Sequence, residues 1–391
     1  MNTPAVPVLE IGGTHVTAAL VEWRAAGPVV VDSGRTTLSS DGSADEIVGA
    51  IARAAGGLTA PTGAVWSVAL PGPFDYAAGI ALFAGVGKFE ALYGVDLRAA
   101  LCARIPAAAD FRFVNDAEAF AIGEWAYGAG RGHDRAVAIT LGTGVGSTFL
   151  RAGVAVRSGD AVPPQGRVDL LTHRGRPLEE TVSRRAVIAA YAQRTGRAED
   201  VREIATAARA GDAVAAGTLR SAFEELGVAL APWLTRFGAE VVVVGGAMVA
   251  SWDLIEPALR AGLGADLAAL PLAVAARPAD SPLFGAALVA RDPASPEPAS
   301  PEPASPESGS AEPVSPESGS LEPASPEPVA GGGGGSPGPA SPESGSVEPV
   351  SPGPAPSESG FVEPDSAGPA GRPDPATAPD AADPAGPHHD G

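Results

Sequence analysis

The sequence has one cysteine, Cys102, and one lysine, Lys88, in 391 residues. A single thiol excludes an intrachain disulfide framework and any zinc cluster built from several cysteines, and it suits a reducing compartment. The single lysine tests one nucleotide motif directly. A Walker loop needs GxxxxGK followed by Ser or Thr, whereas Lys88 is followed by Phe89 and has Leu82 where the first glycine should stand. A P-loop is therefore excluded. There is no run of roughly 18 uninterrupted apolar residues, and the N-terminal MNTPAVPVLEIGGT has no basic region before its first strand-like run. A cytoplasmic location and no membrane partner are the expectations that follow.

Basic charge is scarce and the acid is unevenly spread. Of 46 acidic residues, 17 lie beyond Arg291 with a single base, Arg372, so that segment carries about −16 of the net −20 and residues 1–291 only about −4. A near-neutral globular part has no basic footprint, and no nucleic-acid partner is expected. Residues 292–391 repeat units such as SPEPA and SPESGS without strict period, include the run Gly331 to Gly335, and offer little beyond Leu321 and Phe361 to a core. So little apolar surface does not offset ordering entropy, and a disordered acidic Pro/Ser/Gly-rich tail is expected there. Spacer, phosphorylation substrate and neutral drift all fit its composition, and none implies a need for it in catalysis.

Residues 1–291 are enough for two lobes, 1–115 and 116–291. Val6 to Ile11, Val16 to Trp23 and Val29 to Arg35 read as successive strands with glycine turn signals between them, followed by a helix from Asp45 to Ala55 and a strand from Ala64 to Leu70. The second half repeats the theme. A strand at Phe111 to Val114 and a helix at Ala117 to Trp125 precede strands at Arg135 to Leu141 and Ser147 to Arg151. Helices follow at about Leu178 to Gln193, Val201 to Arg209 and Asp212 to Phe237, then a strand at Glu240 to Val244, a helix near Trp252 to Gly262, a strand near Leu272 to Ala276, and a last helix opening at Ser281-Pro282. This is an α/β chain with two similar halves.

Three glycine turns follow strands: IGGT at Ile11 to Thr14, LGTGVG at Leu141 to Gly146, and VGGA at Val244 to Ala247. Glycine permits close backbone approach to a polyphosphate, and the hydroxyl of Thr14 or Thr143 adds a donor. Each turn alone reads equally as an ordinary hairpin turn. LGTGVG runs on into STFLRAG, a second strand rather than a helix, which argues against a dinucleotide fingerprint. Asn115-Asp116 ends one strand and starts a helix. It reads either as a helix cap or, for Asp116, as a general base that takes a hydroxyl proton in phosphoryl transfer.

In this order the segments EIGGTHVTAALVE, VALPGPFDYAAGI, VNDAEAFAIGEWAYGAG, AITLGTGVGSTFLRAG, RPLEETVSRRA, VVVVGGAMV and SPLFGAALVA resemble the ROK family of sugar kinases, in the hexokinase and actin-like superfamily. The resemblance runs over residues 6–291. It implies a two-lobed actin-like ATPase fold of ribonuclease H-like topology and an ATP- and Mg²⁺-dependent, glucokinase-like kinase whose partner is a small sugar. By the same resemblance Asp116 is the catalytic base, and Asn115, Asp116 and Glu179 contact the sugar. Gly12, Gly13, Thr14, Gly142, Thr143 and Gly144 embrace the ATP phosphates, and Gly245 and Gly246 lie near the adenosine. Family members are often dimers or tetramers, so a homodimer is one expectation.

The chain departs from the pattern in three places. Glu10 stands where the first loop normally begins with aspartate, in a water-mediated relation to the metal. In the family's GExGH sugar motif, with Gly166 as its first glycine, Arg167 replaces the glutamate and Leu170 the histidine. The Cys-rich zinc segment is missing, and His15, His133 and His173 are too scattered to replace it, so no zinc is expected. His173 reads as a loop residue or as a substitute hydroxyl partner, and the tail pair His388-His389 as solvated. These departures leave a second reading, a sugar- or nucleotide-sensing regulator with weakened catalysis and no DNA-binding domain.

Overall fold

The computed structural model describes residues 4–291. The tail read as disordered, 292–391, lies outside the described residues. The first half contains β1 (Val6–Ile11), β2 (His15–Arg24), β3 (Gly27–Thr37), α1 (Ala44–Gly56), β4 (Ala64–Leu70), a short hairpin of β5 (Phe74–Asp75) and β6 (Ile80–Ala81), α2 (Leu97–Arg104), β7 (Ala108–Asn115) and α3 (Asp116–Tyr127). Its sheet has the order β3-β2-β1-β4-β7, antiparallel on the β1 to β3 side and parallel from β1 through β4 to β7. Strands with both faces covered are apolar almost throughout rather than alternating. β1 (VPVLEI) follows this rule: five of its six residues are buried and only Glu10 keeps partial exposure.

The second half contains β8 (Arg135–Leu141), β9 (Val145–Arg151), β10 (Val154–Ala155), the hairpin β11 (Thr172–His173) and β12 (Arg176–Pro177), α4 (Glu179–Val182), α5 (Arg184–Thr195), α6 (Val201–Arg209), α7 (Ala213–Phe237), β13 (Val241–Gly245), α8 (Trp252–Leu263), β14 (Leu272–Val274) and α9 (Ser281–Arg291). Its sheet order is β10-β9-β8-β13-β14, again a hairpin followed by parallel strands. The β1–β2 and β8–β9 hairpins thus carry the first two glycine turns at equivalent places in two similar sheets.

One face of the first sheet, with Leu9, Ile11, Val68 and Phe111, packs on Ile47 and Ile51 of α1 and on Leu97 and Leu101 of α2. Its other face, with Val8, Val21, Ala69 and Val114, packs on Ala119 of α3 and on Leu283 and Phe284 of α9. Burying Phe284 fully contributes about 2–3 kcal/mol of hydrophobic stabilisation. α9 therefore returns from the second half of the sequence to cover the first sheet. It crosses α3 at glycine: a Cβ on Gly285 would stand 1.8 Å from the Ala119 carbonyl oxygen, and one on Gly123 2.0 Å from that of Ser281. The buried Glu124 joins the two helices, accepting a 2.5 Å hydrogen bond from the Ser281 hydroxyl and another from the backbone of Ala129.

Two local features differ from the reading of the sequence. The single helix expected at about 178–193 is two, α4 and α5, divided at Ser183. That residue has extended dihedrals, and its hydroxyl accepts a hydrogen bond from the Ala186 N–H to cap α5. α2 was not anticipated, although Asp96 caps it through the Ala99 N–H and Leu97 and Leu101 lie one turn apart on its buried side.

Candidate active site

β7 ends at Asn115 and α3 begins at Asp116, so backbone hydrogen bonding on both sides fixes the pair. Asn115 is the cap: its side-chain oxygen accepts from the N–H groups of Ala117 and Glu118 at 3.0 and 3.2 Å. Its amide nitrogen donates to the Tyr76 hydroxyl at 3.0 Å, and Tyr76 in turn donates to the Leu70 carbonyl. Because Asn115 does the capping, Asp116 at the first helical position keeps most of its carboxylate for other work. One of its oxygens accepts from the Ala117 N–H at 2.9 Å.

Burial pushes the Asp116 carboxyl above the ordinary range, and it does so against Lys88, the Ala117 N–H and Arg167, which all favour the charged form. Desolvation is the stronger effect here, even though the residue keeps some solvent contact. Glu10 on β1 is also raised, first by burial and next by the charge of Asp116, while Arg35 and a hydrogen bond from Thr17 oppose the shift. The two carboxylates thus lie within electrostatic reach of each other. The Tyr76 phenol is raised by burial and stays a neutral hydroxyl.

Glu10 leads into the first glycine turn. There, Gly12 N–H donates to the His15 carbonyl, and the segment after β3 closes the loop through Leu38 to Thr14 and Ser40 to Gly13. Thr14 is exposed; its hydroxyl lies 3.1 Å from His15 Nδ1, and Arg35 of β3 reaches both His15 ring nitrogens. In the second turn Gly142 donates to the Gly144 carbonyl, and its own carbonyl accepts from Arg184 at the start of α5. A Cβ on Gly13 or Gly142 would meet nothing within 4 Å, so both turns present bare backbone to open space. A polyphosphate fits against such a surface.

The third turn closes on the second. Gly246 has φ +90°, and a Cβ there would stand 2.3 Å from the Leu141 carbonyl oxygen, so only glycine lets the segment after β13 lie against the loop after β8. Gly245 pairs with Thr140 across the sheet. A Cβ on Gly146 would stand 2.8 Å from Ala117 Cβ, which brings the β8–β9 hairpin against the first turn of α3 and hence beside Asp116.

Asp116 lies within electrostatic reach of Glu10, which leads into the first glycine turn, and beside the second turn, on which the third rests. Glu179, expected at the sugar, opens α4, and its carboxylate reaches the second glycine turn, 2.3 Å from where a Cβ on Gly144 would stand; it also lies 3.9 Å from Arg185. His173 lies on the β11–β12 hairpin, where its Nε2 is shielded from solvent and has no hydrogen-bond partner among the described residues. Tyr76 was not singled out from the sequence. Its PGPFDY segment signals a turn through Gly and Pro, but nothing in it marks Tyr76 as a partner of Asn115. Among the described residues no three His, Cys, Asp or Glu side chains gather as a metal cluster. An open concavity of about 770 Å³ lies between residues 157–165 and Trp233 and Arg236 of α7, and none of the glycine turns lines it.

The family model for the ROK family matches residues 7–292. A bifunctional NanE/NanK enzyme of Brucella melitensis is 32% identical over 305 residues, 73% of this chain and 54% of its own length. A glucokinase of Thermotoga maritima is 29% identical over 277 residues, 64% of this chain and 84% of its own. This chain therefore spans about half the length of the Brucella relative and most of the Thermotoga one. Among solved structures, a ROK family glucokinase of Streptomyces griseus in complex with glucose and AMPPNP superposes with a TM-score of 0.59 at 24% identity, covering 73% of this chain and 99% of that one. A ROK hexokinase of Thermus thermophilus gives 0.59 at 23% identity over 73% and 98% of the two chains. With the family match spanning nearly every described residue and these structures covering 73% of the chain, the chain belongs to the ROK family and has its actin-like α/β fold.

Proposed function

We propose that the protein transfers the γ-phosphoryl group of ATP to a hydroxyl of a hexose, with Asp116 as general base and glucose as the first acceptor to try. The observation that carries this reading is a desolvated carboxylate at the start of α3, beside the second glycine turn and within electrostatic reach of Glu10, which leads into the first. In the step, the acceptor oxygen forms a bond to the γ-phosphorus, the bridging P–O bond breaks, ADP leaves with that oxygen, and the hydroxyl proton passes to Asp116. A base of this kind contributes roughly 10²- to 10⁴-fold. Asn115 holds the strand end rigid and, with Tyr76, lines the acceptor side.

Gly12, Gly13, Thr14, Gly142, Thr143 and Gly144 are assigned to the phosphates, and Gly245 and Gly246 to the adenosine side. Glu179, touching the Gly144 turn, stands between the sugar and phosphate regions in this reading. When bound with the nucleotide, Mg²⁺ would neutralise charge on the phosphates, and Glu10, through water, is the carboxylate that would hold it. The lobes are taken as 1–115 and 116–291, with α9 lying on the first, and the protein is taken to act in the cytoplasm. Incubation with Mg-ATP and a panel of hexoses should release ADP. Normal turnover by Asp116→Asn would remove the mechanism.

One observation favours a second reading, a sugar- or nucleotide-sensing regulator with weakened catalysis: with Gly166 taken as the motif's first glycine, a cation, Arg167, stands in place of the glutamate and lies near Gly72 and Tyr76. Binding of ATP with no hydrolysis across a broad sugar panel would favour it.

A further inference from the structure

Arg167 is held by more contacts than a surface arginine. The turn before it places Gln165 and Gly166 in succession at φ +57° and +69°. A Cβ on Gly166 would stand 2.7 Å from the Val156 carbonyl oxygen, so the turn accepts only glycine there. The buried Ser147 of β9 clamps both sides of Arg167, donating to the Gly166 carbonyl and accepting from the Val168 N–H, each at 2.9 Å. Val168 is fully buried. Asp169 then takes one edge of the guanidinium in a two-pronged pair, Nε to Oδ1 at 3.2 Å and Nη2 to Oδ2 at 2.5 Å. Backbone turn, buried hydroxyl and carboxylate fork together fix where this cation points.

Its Nη1 edge faces the Gly72 turn and Tyr76. A Cβ on Gly72 would stand 3.4 Å from the Tyr76 hydroxyl and 3.8 Å from Arg167 Nη1, so phenol and guanidinium meet over the same glycine. That phenol is the one bonded to Asn115, next to Asp116. From the other lobe the half-buried Lys88, the only lysine in the chain, lies within electrostatic reach of Asp116. Its loop is fixed by the Phe89 N–H donating to the Ser40 carbonyl at 2.8 Å. Arginine and lysine are donors only. A preorganised donor fork and a second cation beside one base suit a ligand that presents oxygen acceptors with negative charge, not one that presents only hydroxyls.

We infer that the acceptor is an anionic hexose, one whose carboxylate or phosphate is held by Arg167 and Lys88 while a hydroxyl faces Asp116. This rests on the kinase reading for which hydroxyl is used, but the binding preference stands apart from turnover. The Asp169 fork leaves the Nη1 side of Arg167 toward the ligand and keeps the side chain from collapsing onto Asp116.

The test is titration calorimetry on the full chain with Mg-ADP present. Glucuronate and gluconate serve as carboxylate probes, glucose 1-phosphate as the phosphate probe, and glucose and N-acetylmannosamine as neutral ones. At least one anionic probe should bind about tenfold or more tightly than both neutral sugars, as charge-assisted hydrogen bonds warrant. Arg167→Gln and Lys88→Met should each bring that ratio toward one, with circular dichroism melting to verify folding. Arg167→Lys, which keeps the charge and loses the fork, should lose part of the preference. If glucose or N-acetylmannosamine binds as well as every anionic probe, or if the preference survives both substitutions, the inference is overturned. Absence of ADP formation with every sugar counts against the kinase reading alone, because the binding ratio needs no turnover.

Discussion

As the proposed base, Asp116 has to be charged to accept a proton, yet it stands where charge is costly. Burial raises its carboxyl although Lys88, Arg167 and a backbone N–H oppose the shift. The native state therefore keeps the proton over a pH range in which the unfolded chain has released it. The group's contribution to stability is greatest below its unfolded value and is lost as pH rises toward the folded one. Asp116→Asn should raise the melting temperature by a few degrees near neutral pH and lower kcat roughly 10²- to 10⁴-fold, with the thermal gain shrinking toward about pH 4. A variant less stable than the parent at neutral pH would show that Lys88 and Arg167 outweigh desolvation. In the parent, kcat/KM should fall on the acid side at a pH above the ordinary carboxylate value, as a pH-rate profile would register. Asn115 and Asp116 are legible in the sequence because strand, pair and helix are contiguous. Tyr76 is not, because its bond to Asn115 spans 39 residues and is made by tertiary folding. The position of Glu179 against Gly144 is equally a matter of how α4 docks, which spacing along the chain does not encode.

At the scale of elements, the strands were readable because buried strands leave long apolar runs bounded by glycine and proline, and β4 and β8 begin and end at the residues expected. The division of α4 from α5 was not, since helical spacing continues across Ser183 and only the cap geometry interrupts it. The return of α9 onto the first sheet was also hidden. Its signal is a pair of small residues, Gly123 and Gly285, whose meaning appears only when two distant helices cross. The crossing makes a specific prediction. Gly285→Ala puts a methyl group 1.8 Å from a carbonyl oxygen and should destabilise the protein by about 1–3 kcal/mol or more, measured by denaturant unfolding. Gly196→Ala, with nothing within 4 Å of its Cβ, is not a neutral control because its φ is +73°; Gly13→Ala is the cleaner one for stability. An undiminished midpoint for Gly285→Ala would mean that α9 does not pack as described.

For the whole molecule, two similar sheets each carry a glycine-turned hairpin that presents bare backbone, the second of them beside the first turn of α3. The family match ends at residue 292, where the acidic segment begins. Cutting the chain after Arg291 should leave kcat and KM within about twofold of the full chain, since no assigned site residue lies beyond it; a large loss would tie the segment to catalysis. The fold was legible from motif order because the order itself repeats, whereas the proposed anionic acceptor was not, because the pairing of Arg167 with Asp169 and its approach to Tyr76 are made only by folding. The most direct measurement of the central claim is ADP release from Mg-ATP over a panel of neutral and anionic hexoses, with the parent chain and Asp116→Asn side by side. The parent should release ADP in a sugar-dependent way, and the variant should lose roughly 10²-fold or more of that rate. Sugar-dependent release that is equal in both, or release by neither, would contradict that claim.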